Sequence, residues 1–159
     1  MTLTFFPRRT LVVRSVLSPD EVLRRLAERV EPKRLLRFGG DRPYEGVVSP
    51  QGFEIRRIIL YRNSFLPHVH GSVRPDGPGS VVQAELALHP FTAVFMGIWL
   101  GLVGLFGVVF VVTTVAHGGF DASMLIPLGM FGAGYGMMHG GFAFEVGKVR
   151  RLLDEISRP

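Results

Sequence analysis

The short apolar run within "RTLVVRSV" (9–16), rich in β-branched residues, predicts a strand. Apolar spacings of three and four follow. In "SPDEVLRRLAERVE", Val22, Leu26 and Val30 form one apolar stripe, flanked by Leu23 and Ala27, which predicts a helix over 19–31. Ser18 is placed to cap it, Pro19 suits its first position, and Glu21 completes a capping box. Pro32 stops it. A period of two appears in "YEGVVS" (44–49), "GFEIRRIIL" (52–60), "LPHVHGSVR" (66–74) and "SVVQAELAL" (80–88). "SPQG" turns between the first two with Pro in second position, "PDGPG" (75–79) reads as a loop, and "FGGDRPYEG" (38–46) reads as a turn into the meander with Gly46 in an edge strand.

The alternation also assigns faces. Val82, Ala84, Leu86 and Leu88 share one, as do Pro67, Val69, Gly71 and Val73. Phe53, Ile55 and Ile59 agree with an inward face, and Arg57 breaks the pattern. Matching apolar faces pairs Val69 with Leu86, Gly71 with Ala84, His70 with Glu85 and His68 with Ala87. On the other side, the chosen register pairs Arg56 with His70 and Ile58 with His68.

Beyond the strands the periodicity disappears. From Phe91 to Phe142 there is no Lys or Arg, and Asp121 is the only acid. Residues 91–116 and 124–144 are each long enough to cross a hydrocarbon core of about 20 helical residues, separated by the polar "HGGFDAS". The expectation is a transmembrane helical hairpin at 91–142, with spans about 97–116 and 124–142, between a cytoplasmic α+β domain at 1–90 and a cytoplasmic helix at 143–159. In that last segment Val149, Leu152, Leu153 and Ile156 repeat at helical spacing, which suits packing on the sheet. Gly140–Gly141 would be a swivel if it continues from the second span. The fold class expected is an α+β membrane protein: an antiparallel β-meander, two covering helices, and the hairpin inserted before the last helix. The order of elements resembles a reduced START-like helix-grip arrangement.

Charge then sets an orientation. Basic residues flank the apolar block and are missing from its central loop, so the positive-inside rule puts both termini in the cytoplasm of a cell with an inner membrane. The N-terminal "MTLTFFPRRTLVVR" does not read as a signal peptide, because arginines interrupt it. The net charge of +5 fits a surface near anionic headgroups, and no nucleic-acid motif accompanies it. The chain has no Cys, which fits a reducing compartment.

Candidate chemistry is sparse. His68 and His70 share a strand face with Glu85 across from them, a set that could ligate zinc or iron. Arg56, placed beside His70, opposes a metal, so a cross-strand polar row is preferred and neither metal nor cofactor is expected. His139 lies inside the second apolar stretch, near the level of Trp99, where headgroups or water can serve it. Gly97 and Gly101, and Gly132, Gly136 and Gly140, recur every four residues, as helix-packing or self-association faces do. In "YRNSF" (61–65), Tyr61, Arg62 and Phe65 suit a membrane interface together with Trp99. Asn63 and Ser64 suit the turn itself, with Asn63 at positive φ. No nucleophile–base pair, phosphate loop or dinucleotide motif appears.

The blocks "YRNSFLPHVHG", "LHPFTAVFMGIW" and "FAFEVGKVRRLL" resemble a family of small, uncharacterised bacterial two-span membrane proteins. Tyr61, Arg62, Asn63, Ser64, Phe65, Leu66, Pro67, Gly71, His89, Pro90 and Glu145 carry the resemblance. It implies membrane residence and supplies no activity. The function expected is a membrane-surface docking or assembly protein rather than an enzyme. Its partners would be the lipid bilayer, a second copy through the glycine faces, or another protein, and not nucleic acid. The alternatives are a START-like binder of a lipid or other apolar ligand, and a metal-dependent enzyme using His68, His70 and Glu85.

Overall fold

The computed structural model describes residues 5–32, 42–59, 63–119 and 122–159. Strand β1 (Arg8–Ser15) leads into helix α1 (Pro19–Arg29) and the two-residue strand β2 (Val30–Glu31). Four strands follow: β3 (Tyr44–Ser49), β4 (Gly52–Arg57), β5 (Pro67–Asp76) and β6 (Gly79–Leu88). Helix α2 (Pro90–Ala116) and a 3-10 turn at Ala122–Met124 precede the last helix, α3 (Leu125–Ile156). Of the turn expected at 38–46, residues 38–41 lie outside the described residues, and Tyr44, Glu45 and Gly46 belong to β3.

The sheet is mixed and six-stranded, in the order β1-β6-β5-β4-β3-β2. β3 to β6 form the expected antiparallel meander, β1 adds antiparallel to β6, and β2 adds parallel to β3. The β5–β6 register is the expected one, with Val69 opposite Leu86 and His70 opposite Glu85. Residues 75–79 are not a loose loop. Pro75 pairs with Ser80 and Asp76 with Gly79, and Gly77 turns the hairpin at φ 59°. The β4–β5 register differs from expectation by two residues: Glu54, not Arg56, faces His70. A slip of two keeps every side chain on its face, so the apolar pattern could not exclude it.

Ser18 caps α1 by accepting from the Glu21 amide at 3.4 Å, and Pro19 opens the first turn. Glu21 turns its carboxylate to Arg24 and Arg25 instead of closing the capping box. Those hydrogen bonds, Arg24 first, hold its carboxyl down to about 2. α1 crosses one face of the sheet, and the C-terminal half of α3 lies on the same face. Val22 and Leu26 of α1 and Val149, Leu152, Leu153 and Ile156 of α3 meet Phe53, Ile55, Val69, Val82 and Leu86, all at most 4% exposed. Each such side chain contributes on the order of 1.5–3 kcal/mol on burial. Among the described residues, no helix lies on the opposite face of the sheet.

The expected two-span transmembrane hairpin is overturned. Among the described residues, one helix, α2, is long and apolar enough to cross a membrane. α3 fails because its first half is diluted by Gly129, Gly132, Gly134, Gly136, Gly140 and Gly141, with Tyr135 and His139 among them. Nor does α3 divide into a span and a separate cytoplasmic helix. It runs unbroken for 32 residues, through Gly140–Gly141 and into the core. α2 and the first half of α3 lie together as an arm, with Met96 and Leu100 of α2 and Met138 and Phe142 of α3 buried in the cluster that continues under the sheet.

Candidate functional site

The face of the sheet opposite α1 and α3 carries the polar halves of the alternating strands. Register places Val47, Glu54, His70, Glu85 and Thr10 in one row across five strands. One step along, Glu45 pairs with Arg56, and His68 pairs with Ala87. Glu45 is 6% exposed and takes the Arg56 guanidinium through two contacts to one oxygen, at 2.5 and 3.1 Å. That pairing draws Arg56 toward β3.

Glu54, His68 and His70 remain together. Each offers a ligand-type atom, and these atoms all lie within 4.8 Å of one another. His70 Nδ1 stands 4.0 Å from a Glu54 carboxylate oxygen. Glu85 also faces His70, from β6, but is not part of this cluster. The candidate set weighed and set aside in the sequence, His68, His70 and Glu85, therefore changes: the carboxylate beside the histidines comes from β4, and Arg56 is not opposite His70. Partial burial lowers the His68 pKa, with His89 and Arg56 adding to the effect, so its imidazole is held in the neutral form.

A cleft of about 610 Å³ opens beside His68, where the sheet meets the start of α2. Arg56, His68 and His89 supply its polar wall, and Phe65, Phe91, Phe95 and Met96 its apolar one. His89 caps α2: its Nδ1 accepts from the Phe91 amide at 3.2 Å, and its ring lies 4.9 Å from that of His68. The 63–66 turn closes the cleft. Asn63 Oδ1 accepts from the Phe65 amide at 3.0 Å, and the Asn63 carbonyl accepts from the Leu66 amide at 3.4 Å. This side-chain bond makes the turn without the positive φ expected of Asn63. Phe65 packs on Gly141 of α3. Tyr61 and Arg62, expected at a membrane interface with Phe65, lie outside the described residues.

A second polar cluster is buried. Glu145 of α3 is 0% exposed and engages Arg57 at 2.9 Å and Lys148 at 3.1 Å, one through each oxygen. Arg57 is the residue that broke the inward pattern of β4, and this contact is the reason. Tyr44 lies close by, with its hydroxyl 3.5 Å from the Lys148 carbonyl. Burial pushes its phenol up to about 12. Both oxygens of Glu145 are used inside the protein, so the cluster joins β4 to α3 and leaves little room for a ligand.

Within one chain, most glycines of the expected faces do not make the contact between α2 and α3. Open space surrounds Gly101, Gly132, Gly136 and Gly140, and Gly97 lies near the ring of Phe6. The close approaches of α2 and α3 are at Gly134, under the Trp99 ring, and at Gly107, where an added Cβ would stand 2.8 Å from Pro127. Trp99 is thus wedged between helices. His139 lies against Tyr135, the rings tilted at 41° with centroids 4.3 Å apart, and its Nε2 lies 3.3 Å from the Phe5 carbonyl. The space between sheet and helices, where an enclosed apolar ligand would lie in a helix-grip binder, is filled by Val22, Leu26, Val69, Leu86, Val149 and Leu153, all at most 1% exposed. This packing does not support the START-like alternative.

No family model matches the chain, and no curated protein matches it. Among solved structures, the crystal structure of CalU16 from Micromonospora echinospora aligns with 83% of this chain and 88% of its own, at 16% identity and a TM-score of 0.37. At that score nothing is transferred from one protein to the other.

Proposed function

We propose that this protein is held at a membrane by helix α2 and presents the polar sheet face and the adjoining cleft at the lipid surface, as a docking or assembly protein without a reaction of its own. The observation that carries the reading is α2. It has 27 residues, its most apolar window has a mean hydropathy of 2.5, and only 17% of that window is buried by the rest of the chain. Phe95, Ile98, Leu102, Leu105, Phe106 and Val109 all point outward, each at least 49% exposed. A face of that size and with no charge fits the acyl chains of a bilayer. The basic residues lie in the α+β domain and at the end of α3, which supports placing the domain and both termini on the cytoplasmic side of a bacterial inner membrane.

The natural absence of cysteine allows a direct test. Single cysteines are placed at Leu105 on α2 and at Gln83 on the sheet face, and membranes from expressing cells are treated with a membrane-impermeant maleimide. The expected result is protection of the Leu105 site in intact and in broken membranes. The Gln83 site should label only when the cytoplasmic side is opened. Labelling of the Leu105 site in intact vesicles, or recovery of the protein in an alkaline carbonate wash, would overturn the reading.

A further inference from the structure

We propose that Glu54, His68 and His70 form a binding site for a divalent transition metal, and that zinc is the ion the donor set fits. Two imidazole nitrogens and one carboxylate oxygen are a borderline set. They suit zinc better than magnesium or calcium, which take oxygen throughout, and no thiolate is present to favour copper(I). The backbone fixes the set. His68 and His70 are two apart on one strand, so they project from the same face, and Glu54 is directly opposite His70 on the neighbouring strand.

Donor atoms around a four-coordinate zinc lie roughly 3.4 Å apart, given ligand bonds of about 2.0–2.1 Å. The atoms here lie within 4.8 Å. Rotation at the ends of Glu54 and His70, whose side chains are 40% and 61% exposed, closes the difference without moving either strand. Arg56 is drawn toward β3 by its ion pair with Glu45, which offsets its positive charge beside His68. Glu85, on the far side of His70, adds negative charge nearby.

His89 is close but is not a ligand. Its Nδ1 already accepts from the Phe91 amide, so in the neutral ring the other nitrogen carries the proton. Three protein ligands therefore leave a fourth position for water beside the cleft, on the side of His68.

The test is zinc titration of the untagged full chain in detergent, by calorimetry after chelator treatment, with cobalt as a spectroscopic substitute. The expected result is one zinc per chain and an intense visible absorption from four-coordinate cobalt. Glu54→Gln and His70→Ala should each weaken zinc binding by at least about tenfold, and Glu85→Gln should leave it unchanged. Thermal unfolding of the metal-free variants should match that of the parent, since these side chains are not in the core. Three results would each overturn the proposal: no one-to-one binding tighter than about 100 μM, binding that Glu54→Gln and His70→Ala leave unaltered, or loss on Glu85→Gln alone. None of these measurements needs a bilayer, so their outcome is separate from that of the membrane reading.

Discussion

Arg57 and Glu145 show how much one buried pair can hold. Glu145 has 1% of its side chain exposed and Arg57 25%, so removing the guanidinium takes a charged partner from a buried carboxylate. Arg57→Met should destabilise the fold by about 3 kcal/mol. The exposed pair Arg14–Asp76, 3.5 Å apart, gives the contrast: Arg14→Ala should cost no more than about 0.5 kcal/mol. Thermal unfolding of both variants beside the parent checks the difference. Tyr44 adds a pH dependence. Its folded pKa is raised to about 12, above the roughly 10 of an unfolded chain, so its contribution is complete below pH 10 and is lost as pH rises toward 12. Tyr44→Phe should flatten that alkaline limb in a stability–pH profile. Half of this pair was legible in the sequence. An arginine at an inward position of β4 announces an unusual contact, but naming Glu145 as its partner requires knowing which helix covers β4. Glu54 was missed for a different reason: the side-chain period is two, so a register error of two residues changes no face.

At the scale of the elements, periodicity located most strands and α1, and where it failed the failure has a cause. β2 is too short to show a period, and it adopts strand geometry only by pairing with β3. In the arm, a four-residue glycine spacing suggested the contact face, yet spacing cannot reveal which side a helix turns inward. Trp99 decides that here by occupying the groove at Gly134. Gly134→Ala would drive a methyl into the indole and should cost about 1–3 kcal/mol. Gly136→Ala meets open space and should be neutral, or stabilising by up to about 1 kcal/mol through helix propensity. Helix content and melting temperature in detergent would distinguish the two. The second apolar stretch has the length and the lack of charge of a span. Its glycines satisfy both criteria while contributing little hydropathy.

At the scale of the whole molecule, α3 joins a sheet, covered on one face by α1 and α3, to an apolar arm. The inward residues of that helix run Gly134, Met138, Phe142, Glu145, Val149, Leu152 and Ile156, steps of three or four that never break. One stripe therefore serves two partners, α2 along the arm and the sheet below it. The consequence concerns phase. Each residue of an α-helix advances by about 100°. A single alanine inserted between Gly140 and Gly141 would turn Met138 and everything before it through that angle relative to Glu145. The arm could keep its contacts or the core could keep its own, but not both, and the insertion should lower the melting temperature sharply. Four inserted residues overshoot a full turn by only about 40° and should be tolerated better, although they lengthen the helix by about 6 Å. The joint between arm and domain is thus free in length and fixed in angle, like a keyed shaft.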